Sequence, residues 1–296
     1  VLGDSAVLIS AKQLAPYIKT MMPVPDADHT LSAALLATTV EQIQKILAIC
    51  NEYKVPIWTI STGKNLGYGS AAPAERGQVV LDLKRMNKIL EVDKDLAYAL
   101  VEPGVTYKQL HDYIAEHNLG LWLSVPAPSA IAGPTGNTLD RGVGYTPYGE
   151  HFMFACGMEV VLANGEVLRT GMGSLPSSNT WQVFKWGYGP YLDGIFTQSN
   201  YGIVTKLGFW LMPAPPVYKP FTVQYQNEDD IVDIVETIRP LRIGNVIPNA
   251  AVIAHALYDA PTKAKRSDYF TGAGAIPDAA VRKITKDHNL GIWNVY

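Results

Sequence analysis

The sequence predicts a mixed α+β fold in two parts that divide at residue 213, and three observations carry that reading. A capped helical pattern leads into an apolar, β-rich run at residues 56–60. An Asn-Gly pair stands between two apolar runs, the strongest short hairpin signal. A proline joint, Pro213-Ala214-Pro215-Pro216, then separates a long apolar strand from a stretch of different texture.

Each element has its own local cause. Thr38-Thr39-Val40-Glu41 has the spacing of a capping box, and Val40, Ile43, Leu47 and Cys50 follow at helical intervals. Val79, Leu81 and Leu83 alternate as a strand, and residues 97–101 read as another. Thr106 caps a helix whose apolar face is Tyr107, Leu110, Tyr113 and Ile114. Runs 158–162 and 166–169 flank Ala163-Asn164-Gly165 as a hairpin, and 203–212 reads as a buried strand. Beyond the prolines, a strand at 221–225, a helix at 230–238 with Ile231, Ile234 and Val235 on one face, and a strand near 250–254 form a β-α-β-like run. Residues 291–296 read as a strand just beginning, so the chain is expected to be a section of a longer protein.

Composition removes several function classes. With 48% hydrophobic and 17% charged residues among 296, the chain can bury a large core. A net charge of −3 with dispersed basic residues argues against a nucleic-acid partner, and Lys263-Ala264-Lys265-Arg266 reads as a solvated loop. No apolar run has the length needed to cross a bilayer, so no membrane insertion is expected. Cys50 falls on the apolar face of a helix and Cys156 ahead of a strand, which suits neither a disulfide framework nor a metal site. The six histidines lack zinc-ligand spacing, so no metal is expected. No C-x-x-C-H occurs, so haem is not attached to this chain.

Two loops carry the chemistry. After residues 56–60 comes Ser61-Thr62-Gly63-Lys64-Asn65-Leu66-Gly67-Tyr68-Gly69-Ser70, where glycines let backbone N–H groups converge on an anion and Lys64 adds charge. By residues alone this is either a phosphate cradle or a plain turn. Dinucleotide and P-loop fingerprints are absent, and Gly187-Tyr188-Gly189 is followed by Pro190 where a helix should start. The block 128–151 is too rich in Gly, Pro and Ser for a packed element and reads as a long ordered loop. It could offer N–H donors, hydroxyls and Arg141 to an anionic planar ligand, or be a surface loop pinned by prolines.

Taken together, residues 61–70, 128–151, 157–171 and 186–213 resemble the vanillyl-alcohol oxidase type of FAD-binding flavoproteins, and within it the cytochrome-coupled 4-alkylphenol hydroxylases. The likeness runs from Met21 onward. It implies a two-subdomain FAD-binding domain over residues 1–213, with the flavin between the subdomains, and over 214–296 the beginning of an α+β cap domain, truncated in this chain. The implied pyrophosphate loop is Ser61, Thr62, Gly63, Lys64, Asn65 and Leu66. Glu102, Pro103 and Gly104, then Ser129, Gly136, Asn137, Arg141 and Gly142, then Gly202, Ile203 and Val204 would complete the FAD site. Tyr68 matches a tyrosine that contacts the phenol oxygen of the substrate. The implied reaction is hydride loss from the para benzylic carbon of a phenolate to flavin, giving a quinone methide to which water adds.

The resemblance further implies a c-type cytochrome subunit as electron acceptor, a homodimer of flavoprotein subunits within a heterotetramer, and a periplasmic location. Related oxygen-using oxidases place an aspartate in the segment that here reads Ser124-Val125-Pro126-Ala127-Pro128, which favours the cytochrome-coupled branch. Other members link FAD through a histidine in the first glycine loop, where this chain has Asn65. The linking tyrosine and most other acid/base residues of the hydroxylases would lie beyond Tyr296. Lys64 stands where arginine is expected, which keeps the charge but loses the bidentate fork. An oxygen-using phenol oxidase and a non-catalytic FAD-binding fragment remain the alternatives.

Overall fold

A computed structural model describes residues 1–20, 22–65, 70–127, 129–187 and 189–296. The chain forms two compact units: residues 1–144 with 148–214, and residues 145–147 with 215–296.

The first unit opens with β1 (Val7–Leu8), α1 (Ala11–Ile18), β2 (Ala33–Leu36), α2 (Val40–Tyr53), β3 (Ile57–Ile60) and β4 (Val79–Asp82). Their sheet has the order β1-β2-β4-β3, with β4 parallel to both neighbours. Val80, Leu81 and Asp82 are all buried, because a central parallel strand is covered on both faces. The alternation expected at 79–83 is therefore not what shapes this strand. The cap of α2 also differs from expectation by one residue. Thr39 Oγ1 accepts from Gln42 N–H, and Gln42 Oε1 accepts from the N–H of Thr38 at 2.8 Å. Gln42 fills the role assigned to Glu41.

There follow β5 (Ile89–Asp93), β6 (Tyr98–Val101), α3 (Tyr107–Glu116), β7 (Leu121–Trp122), α4 (Pro134–Leu139), β8 (Ala155–Leu162), β9 (Val167–Arg169), β10 (Gly202–Trp210) and β11 (Met212–Pro213). The main sheet has the order β5-β6-β10-β8-β9, antiparallel throughout, while β7 pairs with β11. Thr106 caps α3 as expected, and Tyr107, Leu110 and Ile114 bury against Val101, Met158, Val204 and Leu207. The β8–β9 turn closes through Gly165 N–H to Leu162 O at 2.8 Å, with Gly165 at φ +87°. Cys156 lies within β8 and is buried, rather than ahead of a strand.

Helix α2 joins the two sheets. Ile43 and Ile46 pack with Leu81 and Leu83 from the first sheet side and with Val161 and Ile203 from the second. Gln44 and Asn51 donate from the same helix to the carbonyls of Gly165 and Ala163 in the hairpin turn, at 2.6 and 2.7 Å. The block 128–151 is not purely loop, because it contains α4. Pro134 occupies the first helical turn, where its missing N–H costs nothing, and Thr135 and Thr138 are buried.

The second unit contains β12 (Val223–Tyr225), α5 (Asp230–Ile243), β13 (Ile253–His255), α6 (Ala256–Asp259), α7 (Asp278–His288) and β14 (Trp293–Val295). Its sheet order is β12-β14-β13 with both pairings antiparallel, so the strand expected at 291–296 lies between the other two. Arg266 is more than a solvated charge: it donates to the carbonyls of Gly272 and Gly274 at 2.9 and 2.7 Å and stacks on Phe270.

Candidate functional site

Strand β3 delivers the chain into the first glycine loop. Gly63 has φ +65°, and a Cβ there would lie 2.8 Å from Ala71 Cβ, so both backbone and space require glycine. Ser61 Oγ accepts from Thr62 N–H at 2.6 Å. Asn65 Oδ1 accepts from Ser70 N–H at 3.2 Å and Ser70 Oγ donates to Asn65 O at 3.2 Å, so residues 65 and 70 are held together. Leu66 and Tyr68 lie outside the described residues.

The second predicted segment is brought directly onto this loop. A Cβ on Gly136 would stand 2.5 Å from Ser61 Oγ, and one on Gly133 would stand 3.0 Å from Thr62 Cγ2 and 3.1 Å from Ser61 Oγ. The start of α4 and the exit of β3 therefore meet backbone to side chain, with no volume for a methyl group. Between the two glycines, Thr135 is 1% exposed and its Oγ1 has no partner among the described residues. An orphaned buried hydroxyl is costly unless something pairs with it.

Glu102, Pro103 and Gly104 form a turn packed on Leu83 and Lys84. A Cβ on Gly104 would lie 2.6 Å from the carbonyl oxygens of both Leu83 and Lys84, and Gly104 N–H donates to Met86 O at 2.7 Å. Glu102 Oε2 accepts from Lys88 N–H at 2.8 Å, which pins the turn. One residue on, the carbonyl of Val105 lies 3.0 Å from where a Gly133 Cβ would stand. Ser129 shapes the approach to α4: its Oγ accepts from Ile131 N–H at 3.2 Å, and its carbonyl from Ala132 N–H at 3.0 Å. The carbonyls of Ala132 and Ala130 in turn accept from the first N–H groups of α3, Tyr107 and Lys108, at 2.9 and 2.8 Å.

At the far end of α4, Gly142 N–H donates to Asn137 O at 2.8 Å, and a Cβ on Gly142 would overlap the Asn137 amide. That amide is held by His151, whose Nδ1 bonds Asn137 Oδ1 and whose Nε2 bonds Ser124 Oγ at 2.9 Å. Burial pushes the His151 imidazole down to about 4, so it is neutral near pH 7. Arg141 takes φ +53°, donates from Nε to Thr197 Oγ1 at 3.0 Å, and lies over the Phe152 ring. It is exposed and held by these contacts rather than packed into the glycine cluster.

Gly202, Ile203 and Val204 open β10 and stand apart from that cluster. Gly202 lies against Val160 and Val161 of β8, where a Cβ would overlap the Val160 side chain. Ile203 and Val204 fill two different cores, and Ile203 shares its core with Leu83, which touches Gly104 through its carbonyl. Sequence reasoning missed Ser124, Gly133, Thr135 and His151. A lone histidine in a glycine-rich block has no spacing partner, and the threonine matters only because of where burial leaves its hydroxyl.

Comparison with known proteins decides what such a cluster belongs to. Residues 31–171 match the FAD binding domain family, a span that contains the first glycine loop, the Glu102 turn, α4 and His151. All 296 residues align at 64% identity with the 4-cresol dehydrogenase [hydroxylating] flavoprotein subunit of Pseudomonas putida, covering 57% of that protein. The chain has the fold of the vanillyl-alcohol oxidase type of FAD-binding flavoproteins. A solved p-cresol methylhydroxylase with substrate bound superimposes with a TM-score of 0.95 at 63% identity, over 99% of this chain and 57% of that one. A 4-ethylphenol oxidase from Gulosibacter chungangensis, in complex with isoeugenol, gives 0.93 at 40% identity over 99% and 56%. The chain thus spans little more than half the length of these relatives.

With an FAD binding domain over residues 31–171, the chain takes FAD as its cofactor, and its residues fit the group. The glycines let the two loops meet without Cβ atoms between them, Lys64 supplies positive charge, and the orphaned Thr135 hydroxyl offers an unused hydrogen bond. Among the described residues, no helix is long and apolar enough to cross a membrane.

Proposed function

We propose that this chain is the flavin-holding part of a hydroxylating 4-alkylphenol dehydrogenase, with residues 1–213 as its two-subdomain FAD-binding domain and 214–296 as the beginning of the substrate cap. The observation that carries the reading is 64% identity, unbroken over all 296 residues, to a flavoprotein subunit named for that reaction. Ser61, Thr62, Gly63, Lys64, Asn65 and Leu66 would hold the pyrophosphate. Glu102, Pro103, Gly104, Ser129, Gly136, Asn137, Arg141, Gly142, Gly202, Ile203 and Val204 would line the rest of the cofactor site. Tyr68 would hydrogen-bond the phenol oxygen of a p-cresol-like substrate.

Bound FAD supplies the hydride acceptor. This chain's residues orient and anchor: the glycine cradle brings N–H donors to the diphosphate, and the Lys64 ammonium offsets its charge. Tyr68 would stabilise the phenolate, whose ring electrons drive hydride from the para benzylic carbon and leave a quinone methide for water to attack. Electrons would then pass to a c-type cytochrome subunit, in a heterotetramer built on a flavoprotein homodimer and located in the periplasm.

The 40% identity to a 4-ethylphenol oxidase supports a second reading, in which oxygen reoxidises the flavin. Against it, Ser124-Val125-Pro126-Ala127 has no aspartate where the oxidases carry one. The test uses the purified flavoprotein mixed anaerobically with p-cresol. Bleaching of the flavin band, followed by reduction of added cytochrome c faster than oxygen uptake in air, supports the dehydrogenase. Rapid oxygen uptake selects the oxidase, and no bleaching overturns both.

A further inference from the structure

We propose that His151 is a positioning residue for FAD binding: as its Nδ1–H tautomer it holds the Asn137 amide oxygen, leaving the Asn137 Nδ2 group turned out as a donor to the cofactor. The inference rests on the reading of Asn137 as part of the FAD site. His151 is 7% exposed and engages a partner through each ring nitrogen, Asn137 Oδ1 and Ser124 Oγ. An amide oxygen only accepts, so Nδ1 carries the proton; in the neutral ring Nε2 then accepts, and Ser124 donates. The glycines on either side enforce the arrangement. A Cβ on Gly142 would overlap the Asn137 amide, and one on Gly144 would overlap both Ser124 Oγ and His151 Nε2.

What remains is the Asn137 Nδ2 group. It lies against Gly142, whose Cβ position would be 2.3 Å from it, is bonded to no described residue and is not among the fully buried orphans, which leaves its hydrogen bonds for a ligand. It stands on α4 one residue beyond Gly136, which abuts the Ser61 loop. Rotating the amide by half a turn would present oxygen instead, and an acceptor there would be wrong for a phosphate or a flavin carbonyl. As the Nδ1–H tautomer the histidine removes that alternative, because it then offers the amide a donor and no acceptor.

Two measurements on the 296-residue chain test this. Nitrogen-15 spectra of histidine-labelled protein, with His151 assigned by its loss in His151→Asn, are expected to show the neutral Nδ1–H form at pH 7. An Nε2–H tautomer or an imidazolium overturns the proposal. FAD affinity, followed by quenching of flavin fluorescence, is expected to fall about tenfold in His151→Leu and to stay within about threefold in His151→Asn, whose amide nitrogen can replace Nδ1. In an Asn137→Ala background His151→Leu is expected to add nothing further. Equal losses in the Leu and Asn variants would mean a packing role only, and full affinity in His151→Leu would mean no role; either result overturns the proposal while leaving FAD binding standing. A folded wild-type chain that takes up no FAD overturns both readings.

Discussion

At the scale of single residues, two kinds of glycine behave differently. Gly136 has an ordinary backbone but no room, since a methyl group would stand 2.5 Å from Ser61 Oγ. Gly136→Ala is therefore expected to displace the Ser61 turn and lower FAD affinity tenfold or more, at a stability cost of about 1–3 kcal/mol. Titration of the variant with FAD beside its thermal melt checks both. Glu159 gives a pH-dependent case. It is 2% exposed and accepts from Arg169, Lys206 and Thr205. Burial alone would raise its carboxyl, but the hydrogen bonds and charges of Lys206 and Arg169 outweigh it and hold the group below the ordinary value of 4.5. The folded state thus binds this proton less readily than the unfolded state, so the stabilisation is complete above pH 4.5 and disappears as pH falls through the lowered value. Glu159→Gln should cost about 1–3 kcal/mol at pH 7 and progressively less below pH 4.5, read from denaturant melts at several pH values.

At the scale of elements, what the sequence revealed was local. The hydroxyl of Thr106 and the 107, 110, 114 spacing are enough to define α3, and Asn164-Gly165 is enough to define the β8–β9 turn, because each cause lies within a few residues of its effect. Helix α4 was hidden because six residues, one of them glycine, show no periodicity. The three strands of the second unit were each legible, but their order was not, because β14 reaches its place between β12 and β13 from more than 30 residues away in sequence and only pairing can reveal that. In the candidate site the two glycine loops were recognised through their resemblance to a family. Their meeting at Ser61, and the Asn137–His151–Ser124 chain that spans 27 residues, depend on tertiary packing. The turn offers a contrast to Gly136: Gly165 has open space but φ +87°. Gly165→Ala should cost about 1–2 kcal/mol from backbone strain, without changing FAD affinity. A larger loss of affinity than of stability would show that the hairpin does more than brace α2.

At the scale of the molecule, two sheets joined through α2 form the unit that contains every described residue of the glycine cluster, and the segment after Ala214 runs exposed through residues 215–224. Limited proteolysis is expected to cut first within 215–222, leaving a fragment ending near Ala214 that keeps FAD affinity within about threefold of the intact chain. Cleavage first inside 61–144 would contradict that picture of the first unit.

The most direct test of the account is an equilibrium titration of the purified 296-residue chain with FAD, followed by dialysis and an absorbance spectrum. The account predicts saturable binding of a single FAD per chain that survives dialysis in the wild type and is weakened in Gly136→Ala. A chain folded by circular dichroism that leaves FAD free, or that binds it equally in both proteins, would contradict it.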